Sequence, residues 1–147
     1  IDFDNSHCKD LSARESLSVL FIQPKKEPRM VEILDTLEAM QNLVGGNIEE
    51  YMPFEDEVAL VLNENGKMLG LPLNRAIYAP DGNHISDVIV GDFFIVKAPV
   101  DSDKYMSLPK DLAEKYADKF KYPERFYRQN GEIKVHPIKP KERSDAR

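Results

Sequence analysis

The chain has 147 residues, a length that one domain with a single core accommodates. Its 41% apolar and 31% charged residues are those of a globular protein, and no apolar run approaches the roughly 20 residues that cross a bilayer, so a membrane-spanning helix is excluded. The net charge of −6 is unevenly divided: residues 1–120 carry 12 Lys and Arg against 22 Asp and Glu, whereas residues 121–147 carry 8 against 4, and an acidic body of this kind disfavours bulk binding of nucleic acid.

Residues 1–17 are polar and without period and read as a flexible leader. With neither a positive n-region nor an apolar h-region they do not read as a secretion signal, and the expected location is the cytoplasm. The lone Cys8 cannot make an internal disulfide. Structure is expected from Ser18. Ser18 to Gln23 is a short apolar run stopped by Pro24, the form of a strand buried on both faces in the interior of a sheet. Met30 to Leu34 alternates and predicts a second strand, paired with the first as a hairpin. Asp35 or Thr36 then caps a helix on which Leu37, Met40, Gln41 and Val44 recur at helical spacing, and Gly45-Gly46 supplies the positive φ that ends it.

Ile48 to Phe54 and Glu57 to Asn63 read as two strands, the second closed by the turn Asn63-Glu64-Asn65-Gly66. Gly70 to Ala79 is apolar but interrupted by Pro72, Pro80 to Asn83 is a turn, and Val88 to Lys97 is β-branched and aromatic; Gly91-Asp92 divides it as either a tight turn or a bulge. Ser107 as cap, Pro109 in the first turn, and Leu108, Leu112, Tyr116 and Phe120 at i+4 steps predict a second amphipathic helix. Residues 123–129 form either a short helix, which Pro123 suits at its first turn, or the first arm of a hairpin through Asn130-Gly131. From about residue 136 the segment is too polar to order itself and is expected to be mobile. The expected fold is thus α+β, with a mixed or mainly antiparallel sheet of about five or six strands packed against two main helices. The single domain spans 18–120, and a basic aromatic extension spans 121–147.

Three blocks of sequence are distinctive together: Leu37 to Gly46 with Ile48-Glu49, Gly70-Leu71-Pro72-Leu73-Asn74-Arg75-Ala76, and Asp87 to Val96. On these residues the stretch from Ser18 to about Phe120 resembles a bacterial family known as domain of unknown function 3846. The resemblance implies a setting on phages, plasmids and conjugative elements, and implies no transferable activity.

Among candidate sites, Pro72, Asn74 and Arg75 join a constrained turn to a carboxamide and a guanidinium fork able to receive an anion or a partner carboxylate. The competing role is architectural: Pro72 shapes the turn, Asn74 satisfies backbone groups and Arg75 pairs with a carboxylate such as Asp87. The carboxylates of Glu49-Glu50 and Glu55-Asp56-Glu57 are adjacent on a strand or turn and so diverge, the pattern of a solvated face. His7, Cys8, His84 and His136, with Asp81 and Asp87 near His84, lack zinc-site or EF-hand spacing, so no metal and no cofactor is expected. Gly45-Gly46 follows a helix where a phosphate cradle precedes one. The basic and aromatic residues Lys119, Lys121, Tyr122, Arg125, Phe126, Tyr127 and Arg128 suit the stacking of single-stranded bases, or else Phe120 and its neighbours anchor the last elements to the core. The function expected is that of a non-catalytic, macromolecule-binding accessory protein of a mobile element or phage with a protein partner, one that modulates a host or defence protein. The alternatives are weak single-stranded nucleic-acid binding by the C-terminal segment, and an enzyme acting around Asn74 and Arg75.

Overall fold

The structure is a computed structural model and describes residues 16–140. The expected leader therefore lies outside the described residues except for Ser16 and Leu17, as do His7 and Cys8 and the end of the C-terminal extension. The elements in chain order are β1 (Ser16–Ile22), β2 (Arg29–Leu34), α1 (Leu37–Val44), β3 (Ile48–Tyr51), β4 (Val58–Asn63), the single turn α2 (Gly66–Leu69) and β5 (Leu73–Tyr78). They continue with β6 (Ile85–Val90), β7 (Phe93–Lys97), α3 (Lys110–Lys119), β8 (Glu124–Gln129) and β9 (Glu132–Pro137).

The fold is α+β. Five strands form one antiparallel sheet in the order β2-β1-β7-β4-β3, while β5-β6 and β8-β9 are separate antiparallel hairpins. The interior strands are apolar without alternation because the sheet is covered on both faces. Leu20 and Ile22 of β1, Val58 and Leu60 of β4, and Phe93 and Ile95 of β7 point to one side, where they pack with Ile77 and Ile89 of the β5-β6 hairpin and with Tyr116 of α3. Their neighbours Leu17, Val19 and Phe21, Ala59 and Val61, and Phe94 and Val96 point to the other, against Met40 and Val44 of α1. The result is three layers, with α1 on one face and α3 plus the β5-β6 hairpin on the other. Each fully buried Val, Leu, Ile or Phe stabilises this arrangement by about 1.5–3 kcal/mol.

Local chemistry accounts for the helix ends. Thr36 caps α1, its Oγ1 accepting from Ala39 N at 3.1 Å, and Gly45 closes it in the left-handed region at φ 81°. Ser107, by contrast, does not cap α3: Pro109 occupies that position without a side-chain bond, and Ser107 Oγ accepts instead from Ser18 N at 2.9 Å, tying the approach to α3 onto β1. Gly91-Asp92 is a tight turn between β6 and β7, with Gly91 at φ 75°. It is a corner at which the chain leaves the hairpin for the main sheet.

Residues 124–137 form the Asn-Gly hairpin, and the short helix that Pro123 favours is not found. Asn130 and Gly131 both take positive φ, 55° and 81°, which a two-residue hairpin turn demands and which a helix C-cap needs at one position only. Pairing across the turn sets Phe126 opposite Val135, and both are half-buried. The onset of mobility expected near residue 136 falls inside β9, which runs through Pro137, and Ile138 N donates to Pro123 O at 2.6 Å.

Candidate functional site

Asn74 and Arg75 lie on β5 with relative exposures of 1% and 0%, beneath the surface. Asn74 Nδ2 donates to Ile22 O at 3.0 Å and to Gly91 O at 2.7 Å, while its Oδ1 accepts from an Arg75 terminal nitrogen at 2.8 Å. One carboxamide thus joins the end of β1 to the β6-β7 corner. The Arg75 fork is equally occupied. Nε donates to Phe120 O at 3.1 Å, one terminal nitrogen to Lys26 O at 2.6 Å, and the other to Asn74 O and, at 3.5 Å, to Gln23 O. Burial pushes the guanidinium pKa down, and the charge of Glu124 opposes that shift. Glu124 accepts from Ala76 N at 2.8 Å, and its own burial raises its pKa. All three guanidinium nitrogens thus donate within the fold, and a side chain with no exposed surface cannot meet a partner. Arg75 also does not pair with Asp87, because Asp87 Oδ1 takes Lys67 Nζ at 2.8 Å on the β5-β6 hairpin.

What the buried pair does is hold a rim. Arg75 grips the Gln23 to Lys26 loop from below, Asn74 grips Gly91, and Pro72 O accepts from Gly91 N at 2.7 Å. These segments, with Leu43 to Gly45 at the end of α1 and Leu69 to Pro72 after α2, enclose a groove of about 550 Å³ at one end of the main sheet. Asn63 lies at its base, 4% exposed, with Nδ2 donating to Val44 O at 3.3 Å and Oδ1 accepting from Asn65 N at 2.8 Å. Each of the three distinctive sequence blocks thus contributes to one groove: Leu43 to Gly45, Leu71-Pro72 and Gly91-Asp92.

The groove is open and mixed in chemistry. Leu43, Leu69, Leu71 and Pro72 supply apolar wall, and Leu69 and its neighbour Met68 are 63% and 86% exposed. Lys25 and Lys26 also line the groove, exposed, and neither has an ion-pair partner among the described residues. Asp92 is the acidic member of the lining, and its Oδ2 accepts from Gln23 Nε2 at 3.3 Å. Sequence reasoning passed over Lys25, Lys26, Met68 and Leu69. The legible signal was a pair of apolar residues beside Gly70 that fit no amphipathic period.

The basic aromatic residues are dispersed. Lys119 Nζ lies 5.2 Å from the centre of the Phe54 ring, and Lys121 and Lys139 flank Tyr122 at 5.5 and 5.4 Å. On β8 strand alternation separates Arg125 and Tyr127 from Phe126 and Arg128. Arg125 faces His136 across the hairpin, and Tyr127 faces Lys134. His84 Nδ1 sits 2.7 Å from Asp81 Oδ2 on the exposed turn before β6, and among the described residues no group of three or more His, Cys, Asp or Glu is placed to hold a metal ion. No helix among the described residues is long and apolar enough to cross a membrane.

Comparison with other proteins found no match among curated proteins and none among solved structures. The family comparison matches residues 17–121, a span that takes in both layers around the main sheet and every wall of the groove but stops before β8. The chain belongs to the family described as domain of unknown function 3846.

Proposed function

We propose that the protein is a non-catalytic accessory that binds another protein, through the groove at the end of the main sheet. The observation that carries this reading is the apolar lip: Met68 and Leu69 are 86% and 63% exposed on the single turn α2, and Leu69 lines the groove with Leu71 and Pro72. Apolar side chains clustered on a surface mark interaction sites, and a polar rim around an apolar centre is the usual composition of a protein interface. The setting proposed for this role is a bacterial phage or mobile element, with a host or defence protein in the cytoplasm as the partner. A photo-crosslinking residue at position 69 should give a discrete adduct in cells, whereas one at Asp118, on α3, should not. Equal labelling from both positions would refute the assignment.

A second reading has one specific observation in its favour. Tyr127 is 47% exposed, with Arg125 on the same face of its strand and Lys134 directly opposite, an arrangement able to stack one base between cations. Titration with single-stranded oligonucleotides at physiological salt tests it: submicromolar, salt-sensitive binding lost in Tyr127→Ala would place the function on the hairpin instead.

A further inference from the structure

The groove's lining is divided in a way that specifies its occupant. One part is apolar, formed by Leu69, Leu71 and Pro72; another displays Lys25 and Lys26. In a body with 22 acidic and 12 basic residues over positions 1–120, two adjacent lysines free of ion pairs among the described residues are a local inversion of charge. Their backbone is also unusual. Lys25 takes φ 67°, the left-handed region, which a residue other than Gly, Asn or Asp enters infrequently and holds only where the surroundings impose it. The surroundings here are identifiable: the wholly buried Arg75 donates to Lys26 O at 2.6 Å and to Gln23 O at 3.5 Å, on either side of the strained residue. Lys26 N also donates to Gln23 O at 3.3 Å, closing the turn. A buried cation thus fixes the backbone from which two surface cations project, so the lysine rim is organised before any partner arrives.

We propose that this groove receives an acidic peptide segment of the partner protein, an aliphatic side chain of which seats against Leu69, Leu71 and Pro72 while flanking Asp or Glu residues meet Lys25 and Lys26. The inference rests on the reading of the protein as a binding module and names its ligand class. Asp92 does not cancel the rim, since the lining holds one carboxylate, hydrogen-bonded by Gln23, against two ammonium groups.

The test uses the full chain and short labelled peptides with one leucine anchor, flanked either by aspartates or by lysines. Fluorescence polarisation should show the acidic peptide binding with Kd of about 10–100 µM and at least about tenfold more tightly than the basic one. Reversal of both rim charges, Lys25→Glu with Lys26→Glu, should invert that preference, and Leu69→Asp should abolish binding of the acidic peptide. Both variants alter exposed side chains, and an unchanged Tm verifies their folding. Amide shifts in NMR should be confined to the Gln23 to Lys26 loop, Gly45, Leu69 to Pro72 and Gly91. Equal affinity for the two peptides, no binding of either, or displacement of the acidic peptide by single-stranded DNA overturns the inference. The adduct from position 69 is independent of peptide charge, so a captured protein together with a failed charge swap would retain the binding module and discard only its acidic ligand.

Discussion

Replacing Arg75 by Ala separates an architectural arginine from a recognition arginine in one measurement. The side chain is 0% exposed, so the two methylenes lost beyond Cβ contribute about 0.8 kcal/mol each through burial. Its two shortest bonds to main-chain carbonyls, with Lys26 O at 2.6 Å and Phe120 O at 3.1 Å, would leave acceptors without partners, at about 1–3 kcal/mol each. Relief of the buried charge offsets part of this, while Glu124 loses the cation that moderates its own burial. The loss should be at least about 3 kcal/mol, a large share of the 5–15 kcal/mol typical of a domain, and it lowers Tm by about 10 °C or more. Arg75→Met retains the stem and removes the donors, so it should lose about 2–4 kcal/mol and isolate the hydrogen-bond contribution. Because the chain has no Trp, urea unfolding is best followed by far-ultraviolet circular dichroism. An Arg75→Ala protein within about 1 kcal/mol of the parent would show that the guanidinium does not sustain the Gln23 to Lys26 loop, and the account of the rim would fall with it.

Asn74→Ala should destabilise by about 2–4 kcal/mol, since it strips partners from Ile22 O, Gly91 O and Arg75 at once, and faster amide exchange at Gly91 should accompany the loss. Gly91→Ala forces Ala into φ 75° and sets its Cβ 2.7 Å from Leu71 Cδ1; because Leu71 can swing aside, a loss of about 1–2 kcal/mol together with weaker binding in the groove is expected, measured by unfolding and by polarisation. Asp56 has its pKa lowered by the bonds from Lys115 and Tyr116, so its stabilisation is present above the ordinary 3.8 and lost as pH falls through the depressed value; Asp56→Asn should flatten the acid side of a Tm profile. Glu124 behaves oppositely, because burial raises its pKa: its contribution is full below 4.5 and declines as pH rises through the raised value, so Glu124→Gln should gain on the parent over that window, and identical profiles would contradict the assignment.

Much of the architecture is local and was legible as sequence. The run from Val19 to Ile22 is apolar at every position because both of its faces are covered, Thr36 and Gly45 punctuate α1 by side-chain and backbone chemistry, and Leu112, Tyr116 and Phe120 mark one face of α3. The ambiguous places were those where one local signal serves two structures. Asn130-Gly131 ends a helix or turns a hairpin equally well, and the choice fell to Phe126 and Val135, half-buried partners on opposite arms. Ser107 has the chemistry of a cap, yet a backbone amide of β1, 89 residues away in sequence, claims its hydroxyl. The site depended on tertiary structure most of all. Pro72, Asn74 and Arg75 stand out in the sequence as an exposed turn with a fork for anions would, but burial turns the fork inward onto carbonyls of Gln23, Lys26 and Phe120, roughly 50 residues away on either side. Local sequence determined most of the strands and the two main helices; only the closing of β5 beneath the end of β1 decided that Arg75 supports the surface and that Lys25 and Lys26 present it, because a guanidinium withdrawn from water must spend its donors on whatever backbone the fold brings within reach.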